Sequence, residues 1–248
     1  MNNNFNASFA SDSEKRNRAS FYELFKNNPL PEDEILNNLG LFINRQNLSR
    51  ILLMHELYKK IIEVNGVVME FGVRWGQNLC LFEIFRAIYE PYNYTRKIIG
   101  FDTFEGFKSV HQKDGKLNRT GDYSVTPLYE EYLKRLLNYH EYESPVAHIK
   151  KSLLIKGDAI VTLEEYLEQH TETIIAFAYF DFDLYEPTKK CLELIKDRVT
   201  KGSIIAFDEL NHPGFPGETQ AFLEVIGVRN CTLKRSPLAP YVSYIIVE

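Results

Sequence analysis

The sequence predicts a doubly wound, mostly parallel α/β sheet with N-terminal helices and an antiparallel C-terminal edge strand. Two observations support this fold class. Short apolar runs of strand length alternate with segments whose apolar residues recur at helical spacing. Near the C-terminus, two further strand-like segments follow each other with no helical pattern between them, as expected for an antiparallel pair.

The N-terminal part of the chain is predicted to be helical after a polar start. Residues 1–20 are rich in Asn and Ser, and we expect them to be flexible. Residues 21–63 are predicted to form a helical cap, in which Ser49 caps a helix that runs from Arg50 to Glu63. Apolar residues recur at helical spacing along that helix, so one of its faces should be packed.

The remainder of the chain shows no repeat and no linker, so residues 21–248 are predicted to form a single domain. The polar segment 108–126 is predicted to be a mobile surface loop. The predicted strands cover residues 66–71, 97–102, 153–156, 174–180, 202–207, 229–234 and 242–247. The predicted helices among them cover residues 77–88, 128–139, 163–169 and 187–198.

Composition argues against several functional classes. The formal net charge is −5 and basic residues are not clustered, which argues against a nucleic-acid partner. No apolar run reaches the ~18–20 residues that span a bilayer, so no membrane association is expected. The 3 cysteines have no metal-binding or disulfide spacing. Free thiols of this kind suit a reducing compartment, and a cytoplasmic location is expected.

Acidic residues lie at or just beyond the ends of the predicted parallel strands. They are Glu70, Asp102, Asp158, Asp181 with Asp183, and Asp208 with Glu209. Ligands of open α/β sheets bind beyond the carboxyl ends of the strands, so this pattern favours a functional crevice. The alternative is that individual Asp residues cap the helices that follow.

The first strand is followed by a glycine-containing turn, Glu70-Phe-Gly-Val-Arg-Trp-Gly76. Gly72 would let the backbone approach a ligand closely, and Gly76 would allow close helix–strand contact. The spacing is not that of a dinucleotide fingerprint. Asp102, at the next strand end, is placed to accept hydrogen bonds from ribose hydroxyls. Asp158 either meets the adenine edge of a nucleoside or caps the next helix.

Neighbouring strand ends should bring Asp181, Asp208 and Glu209 to one place. Three carboxylates that are close together require a cation to remain ionised. Hard oxygen ligands suit Mg²⁺, Ca²⁺ or Mn²⁺, and Mg²⁺ is the first choice here. The alternative is that these residues are separate, solvated helix caps.

Four segments resemble the metal-dependent sugar O-methyltransferases typified by macrocin O-methyltransferase. They are Glu70-Phe-Gly-Val-Arg-Trp-Gly76, Gly100-Phe-Asp-Thr-Phe-Glu-Gly-Phe107, Asp181-Phe-Asp-Leu-Tyr-Glu-Pro-Thr188 and Phe207-Asp-Glu-Leu210. The resemblance implies a Rossmann-like class I methyltransferase fold and S-adenosylmethionine (SAM) as cofactor. It also implies a sugar-type small-molecule substrate and a homo-oligomer. Family members usually carry Asp-Asp where this chain has Asp208-Glu209.

The resemblance also implies residue roles. Glu70 would face the amino-acid portion of SAM, with Asp102 at the ribose and Asp158 at the adenine. Asp181, Asp208 and Glu209 would hold the metal, and Asp181 would act at the acceptor hydroxyl. The lysine base of the related catechol enzymes is missing after Asp183, so His212 is the candidate general base, or a loop histidine without a role.

Two other functions remain compatible with the sequence. Asp181-Phe-Asp183 could hold a metal–diphosphate, as in a metal-dependent sugar-nucleotide glycosyltransferase. That interpretation leaves the Glu70–Gly76 turn unexplained. The other alternative is a non-catalytic nucleoside-binding protein that has kept the fold.

Overall fold

The computed structural model describes residues 10–248. The chain divides into two compact units, Met1–Leu48 and Ser49–Glu248. This division falls inside the predicted helical cap 21–63, and the assignment of residues 21–248 to a single domain remains a prediction. In chain order the helices are α1 (Asp12–Lys26), α2 (Glu32–Ile35), α3 (Arg45–Lys60), α4 (Gln77–Tyr89), α5 (Tyr129–Glu143), α6 (Ala159–Gln169), α7 (Tyr185–Ile195) and α8 (Gly217–Val225). None of these helices, within residues 10–248, combines the length and the hydropathy that crossing a membrane requires.

The N-terminal unit contains a longer first helix than the sequence pattern indicates. Helix α1 begins after Ser11, whose hydroxyl accepts from the backbone N–H of Glu14 while the Glu14 carboxylate accepts from the backbone N–H of Ser11. This reciprocal cap satisfies backbone donors at the helix start. Residues 1–9 of the segment predicted to be flexible lie outside the described residues, and most of the rest of it is in α1.

The second unit is built on one sheet. Its strands are β1 (Val67–Phe71), β2 (Ile98–Asp102), β3 (Ser152–Lys156), β4 (Ile175–Phe180), β5 (Val199–Phe207), β6 (Lys234–Ser236) and β7 (Ala239–Ile246). They lie in the order β3–β2–β1–β4–β5–β7–β6. The first five strands are parallel, whereas β7 is antiparallel to both β5 and β6. The predicted doubly wound sheet with an antiparallel C-terminal edge is therefore confirmed.

Four stacked phenylalanines hold the carboxyl ends of the central strands in register. The ring of Phe71 stacks on Phe101 and Phe180, with centroids 5.2 and 4.7 Å apart, and Phe180 stacks on Phe207 at 5.3 Å. All four rings are fully buried. Each ring immediately precedes a predicted site position: Gly72, Asp102, Asp181 and Asp208. The buried row therefore fixes how far each strand extends before its functional residue.

Three local features of the structure differ from what the sequence pattern indicates. Helix α3 begins at Arg45 rather than after Ser49, because the side chain of Asn44 accepts from the backbone N–H of Asn47 and starts the helix earlier. The strand expected at 229–234 is instead turn structure followed by the short β6. Helix α8 was not predicted at all.

Candidate active site

The glycine-containing turn after β1 lies against the end of β4. Gly72 has φ +91°, and a Cβ there would overlap the carbonyl oxygen of Asp181. Gly76 caps α4 with φ +77°, and a Cβ there would overlap the side chain of Leu133 on α5. Both glycines are therefore required, one by the neighbouring backbone and the other by helix packing.

Asp102 fixes the conformation of this turn. Its Oδ2 accepts from the backbone N–H of Arg74 at 2.7 Å, and its Oδ1 accepts from the backbone N–H of Phe104 at 2.5 Å. Both donors have positive φ, 48° at Arg74 and 58° at Phe104, which is uncommon for residues with a side chain. One partly exposed carboxylate thus holds two strained turns together at the carboxyl end of the sheet.

Glu70 lies below this turn and is almost fully buried, with 1% of its surface exposed. Its Oε1 accepts from the side-chain amide of Asn78 at 3.0 Å. Glu70 Oε2 and the amide oxygen of Asn78 are buried without a hydrogen-bond partner. Burial is the main reason that the pKa of Glu70 is well above its ordinary value. Buried polar atoms left without a partner are rare and suggest that a polar ligand group belongs beside them.

Asp158 lies at the start of α6, where its side chain accepts from the backbone N–H of Ile160 at 3.0 Å. This is the helix-cap role that the sequence left open beside a ligand role. The carboxylate is only partly buried. Contact with an adenine remains a prediction.

The ends of β4 and β5 bring the predicted acidic residues together around one arginine. Arg50, on α3, donates to Asp208 Oδ1 at 2.9 Å and to Asp181 Oδ2 at 3.0 Å. The phenolic hydroxyl of Tyr179 also donates to Asp208 Oδ1. A planar guanidinium can engage two carboxylates at once, so Arg50 joins the two strand ends.

The carboxylates of this cluster raise one another's pKa. Burial, then the charge of Asp208, raises the pKa of Asp181 well above its ordinary value, whereas Arg50 acts in the opposite direction. Burial and the charge of Glu209 raise the pKa of Asp183 to about 8. Burial and the charge of Asp208 raise the pKa of Glu209 to about 8. The carboxylates of this cluster therefore bind protons more tightly than ordinary carboxylates do, and Arg50 offsets this only in part at Asp181.

The donor set suits a hard cation. Carboxylate oxygens are the protein ligands that Mg²⁺ prefers. Glu209 Oε2 is buried and has no hydrogen-bond partner. In the described part of the chain, however, no three His, Cys, Asp or Glu side chains come together in a group that could hold a metal ion. The metal role of Asp181, Asp208 and Glu209 stays a prediction, and Arg50 is the cation that the structure provides.

His212 lies beside this cluster, but its hydrogen bond limits what it can do. Its Nδ1 accepts from the backbone N–H of Gly214 at 3.1 Å, and its ring packs against Phe215 and Tyr241. In the neutral ring, an accepting Nδ1 leaves the proton on Nε2. In this tautomer Nε2 cannot accept a proton, so a base role would require the Gly214 contact to break. That role also remains a prediction.

Segment 108–126 is not free along its whole length, because side chains within it contact other parts of the second unit. Asp114 is buried, and its Oδ1 accepts from the backbone N–H of Tyr185 at 2.5 Å. Tyr123 lies close enough to Asp183 to lower the pKa of that carboxyl, against the larger effects of burial and of Glu209, and the centroid of its ring lies 4.8 Å from the guanidinium carbon of Arg74. The segment therefore reaches both the acidic cluster and the turn after β1. Its mobility remains a prediction.

Sequence reasoning assigned no role to Arg50 or Tyr179, and it overlooked Glu218 on α8. The oxygens of Glu218 accept backbone N–H groups from both strand-end loops. Arg50 lies 158 positions from Asp208 along the chain, so no local pattern connects them. A signal for α8 was present: Gly217 follows Pro216, and Ala221, Phe222 and Val225 share helical spacing.

Comparison with solved structures identifies near relatives. The crystal structure of CalS11, described as a calicheamicin methyltransferase, is 42% identical, with a TM-score of 0.92 over 96% of this chain and 94% of that chain. The apo structure of CalS11, described as a TDP-rhamnose 3'-O-methyltransferase of calicheamicin biosynthesis, is 40% identical, with a TM-score of 0.85 over 96% of both chains.

The O-methyltransferase NovP is 17% identical, with a TM-score of 0.58 over 81% of this chain and 80% of that chain, and supports the fold alone. No protein-family model and no curated protein matches the chain. The resemblance to sugar O-methyltransferases that the sequence motifs indicated is confirmed by CalS11. The chain is an enzyme that belongs to the family of SAM-dependent sugar O-methyltransferases with the class I fold.

Proposed function

We propose that this enzyme transfers the methyl group of SAM to a hydroxyl of a hexose carried by a nucleoside diphosphate. The observation that carries this proposal is the 40% identity, over 96% of both chains, to an enzyme described as a TDP-rhamnose 3'-O-methyltransferase. The cluster of acidic residues at the ends of β4 and β5 supports it. A glycosyltransferase or a non-catalytic binding protein would not account for this similarity.

SAM would lie over the turn after β1. Gly72 lets this turn pack against the carbonyl of Asp181 at the end of β4, and Asp102 would accept from the ribose hydroxyls while it holds the turn. Glu70 Oε2 and the amide oxygen of Asn78 are buried without a hydrogen-bond partner. This supports Glu70 and Asn78 as the groups that meet the amino-acid portion of SAM. Asp158 would meet the adenine side.

The acceptor hydroxyl would lie at Asp181. As its oxygen attacks the methyl carbon, the electron pair of the carbon–sulfur bond leaves with sulfur, and the hydroxyl proton moves to a carboxylate. Burial and the charge of Asp208 raise the pKa of Asp181, so this carboxylate takes up a proton more readily than an ordinary one. Arg50 engages Asp181 Oδ2, so Oδ1 is the oxygen we assign to the proton. His212 is the second candidate base.

We further propose that the enzyme uses a divalent cation, Mg²⁺ by donor chemistry, held by Asp181, Asp208 and Glu209. When bound, such a cation lowers the pKa of a coordinated hydroxyl. The buried, unpartnered Oε2 of Glu209 and the raised pKa of the cluster support this assignment. A cytoplasmic location and a homo-oligomer, both expected from the sequence, also remain predictions.

A transfer assay with isotopically labelled SAM tests the function. TDP-rhamnose is offered as acceptor in parallel with a free and a glycosidically linked rhamnose, and the methylated product is identified by mass spectrometry. We expect transfer to the nucleotide sugar and its loss in Asp181→Asn. A chelator arm tests the metal separately, since activity should fall with EDTA and return with Mg²⁺. Methylation of the glycoside alone would contradict the sugar-nucleotide assignment, and full activity in EDTA would contradict the metal.

A further inference from the structure

Glu218, in the first turn of α8, connects the two loops that carry the acidic residues. Its Oε1 accepts from the backbone N–H groups of Phe182 and Asp183, at 3.1 and 3.3 Å. Its Oε2 accepts from the backbone N–H of Glu209 at 3.1 Å. The side chain is fully buried, with 0% of its surface exposed. One carboxylate therefore binds the loop after β4 through one oxygen and the loop after β5 through the other.

The packing of α8 keeps this carboxylate in place. Gly217 lies so close to the loop after β4 that a Cβ there would lie 2.6 Å from the backbone nitrogen of Tyr185 and 2.8 Å from the carbonyl oxygen of Asp183. The same Cβ would lie 2.5 Å from Asp114 Oδ1, which itself binds the Tyr185 N–H. Helix α8 is thus in direct contact with the backbone that presents Asp183.

A carboxylate is the group that these contacts require. Three N–H donors point at two oxygens, and a carboxylate is the common side chain with two oxygens that can both accept. Burial raises the pKa of Glu218 well above its ordinary value, whereas the N–H of Glu209 that it accepts acts in the opposite direction. Glutamine would place an N–H₂ group against at least one of the backbone donors. That change would leave either Phe182 and Asp183 or Glu209 without an acceptor for the backbone N–H that Glu218 now accepts.

We infer that Glu218 is a positioning residue for methyl transfer, which sets the separation and orientation of the carboxylates on the two loops by holding their backbones. The inference rests on the proposed function only for its effect on turnover. Asp183 has φ +59° and Asn211, in the second loop, has φ +64°, so both loops adopt conformations that need external support. Glu218 supplies that support without touching the acceptor.

The test compares Glu218→Gln with Glu83→Gln, a matched control in which an equally buried glutamate on α4 is changed in the same way. For Glu218→Gln we expect kcat to fall by about 100-fold, since a displacement of about 1 Å at a reacting group has effects of that size. The SAM dissociation constant should stay within about twofold, because the turn after β1 does not contact Glu218. Glu83→Gln should keep wild-type kcat.

Amide hydrogen exchange provides a readout that does not depend on activity. Exchange at Phe182 and Asp183, or at Glu209, should become faster in Glu218→Gln and remain unchanged in Glu83→Gln. Glu218→Asp, one methylene too short to reach both loops, is measured in the same way if the glutamine variant does not fold. Unchanged exchange, or unchanged kcat in an active enzyme, would overturn the inference. If the wild-type enzyme methylates no acceptor, the proposed function fails, and the exchange rates alone decide the role of Glu218.

Discussion

Removal of the charge of Arg50 should destabilise the enzyme in a pH-dependent way. Arg50→Met keeps most of the side-chain length but leaves Asp181 and Asp208 without their shared counter-charge. Loss of one partner from a fully buried ion pair costs about 3–5 kcal/mol, and an exposed pair contributes about 0–1 kcal/mol. The three side chains are 32%, 27% and 12% exposed, for Arg50, Asp181 and Asp208 respectively. We therefore expect a cost of about 2 kcal/mol, between these limits.

For a chain of this length, that cost corresponds to a melting temperature about 4–8 °C lower. The assay is thermal unfolding at low salt, without added metal, across a pH series. Without Arg50, the pKa of Asp181 in the folded state rises further above its unfolded value. The variant should therefore lose stability as pH rises from the unfolded-state pKa of Asp181 towards its folded-state pKa. It should recover that stability as pH falls and the carboxylate is protonated. The difference from wild type should grow as pH rises and should disappear at a pH low enough to protonate Asp181 in the unfolded chain as well.

Arg50→Lys serves as the control, because a single ammonium group retains the charge but cannot engage both carboxylates as a guanidinium does. Its melting temperature should lie between those of wild type and Arg50→Met. A methionine variant that melts within about 1 °C of wild type, where 4–8 °C is expected, would refute the reasoning. A difference that does not change with pH would refute it as well.

Three further outcomes follow from the contacts described. Burial raises the pKa of Glu83 to about 7, so the wild-type fold loses stability as pH rises from about 4.5 to about 7. The stability of Glu83→Gln relative to wild type should increase over that interval by up to about 3 kcal/mol, measured by denaturant unfolding at several pH values. Asp102→Ala should weaken SAM binding at least about tenfold in calorimetry, because the turns after β1 and β2 each lose their contact with this carboxylate. Gly72→Ala should lower the melting temperature and abolish SAM binding, because its Cβ would overlap the carbonyl oxygen of Asp181.

The parts of the site that could be predicted from sequence are those set by local pattern. Buried strands ending in an acidic residue are readable because strand burial and strand direction together determine where the next side chain lies. The glycine turn is predictable for a different reason, because Gly72 and Gly76 adopt positive φ values that favour glycine over other residues. Asp158 shows the limit of such patterns, because the same residue type at the same position also caps a helix.

Other parts of the site depend on packing between distant segments. Arg50 meets Asp181 across 131 positions of sequence, and Glu218 meets Phe182 across 36 positions, so neither contact leaves a local trace. Helix α3 begins before the predicted Ser49 cap, because the side chain of Asn44 accepts from the backbone N–H of Asn47 and starts the helix there. Helix α8 has only 9 residues, too few for a strong periodic signal.

The most direct test of the central claim is calorimetric titration of the purified enzyme with SAM, before and after treatment with EDTA. The proposed cofactor position lies over the turn after β1 and at Asp102, apart from the acidic cluster of Asp181, Asp208 and Glu209. We therefore expect binding of similar affinity in both conditions. No detectable binding of SAM in either condition would mean that the turn after β1 and Asp102 do not form a SAM site.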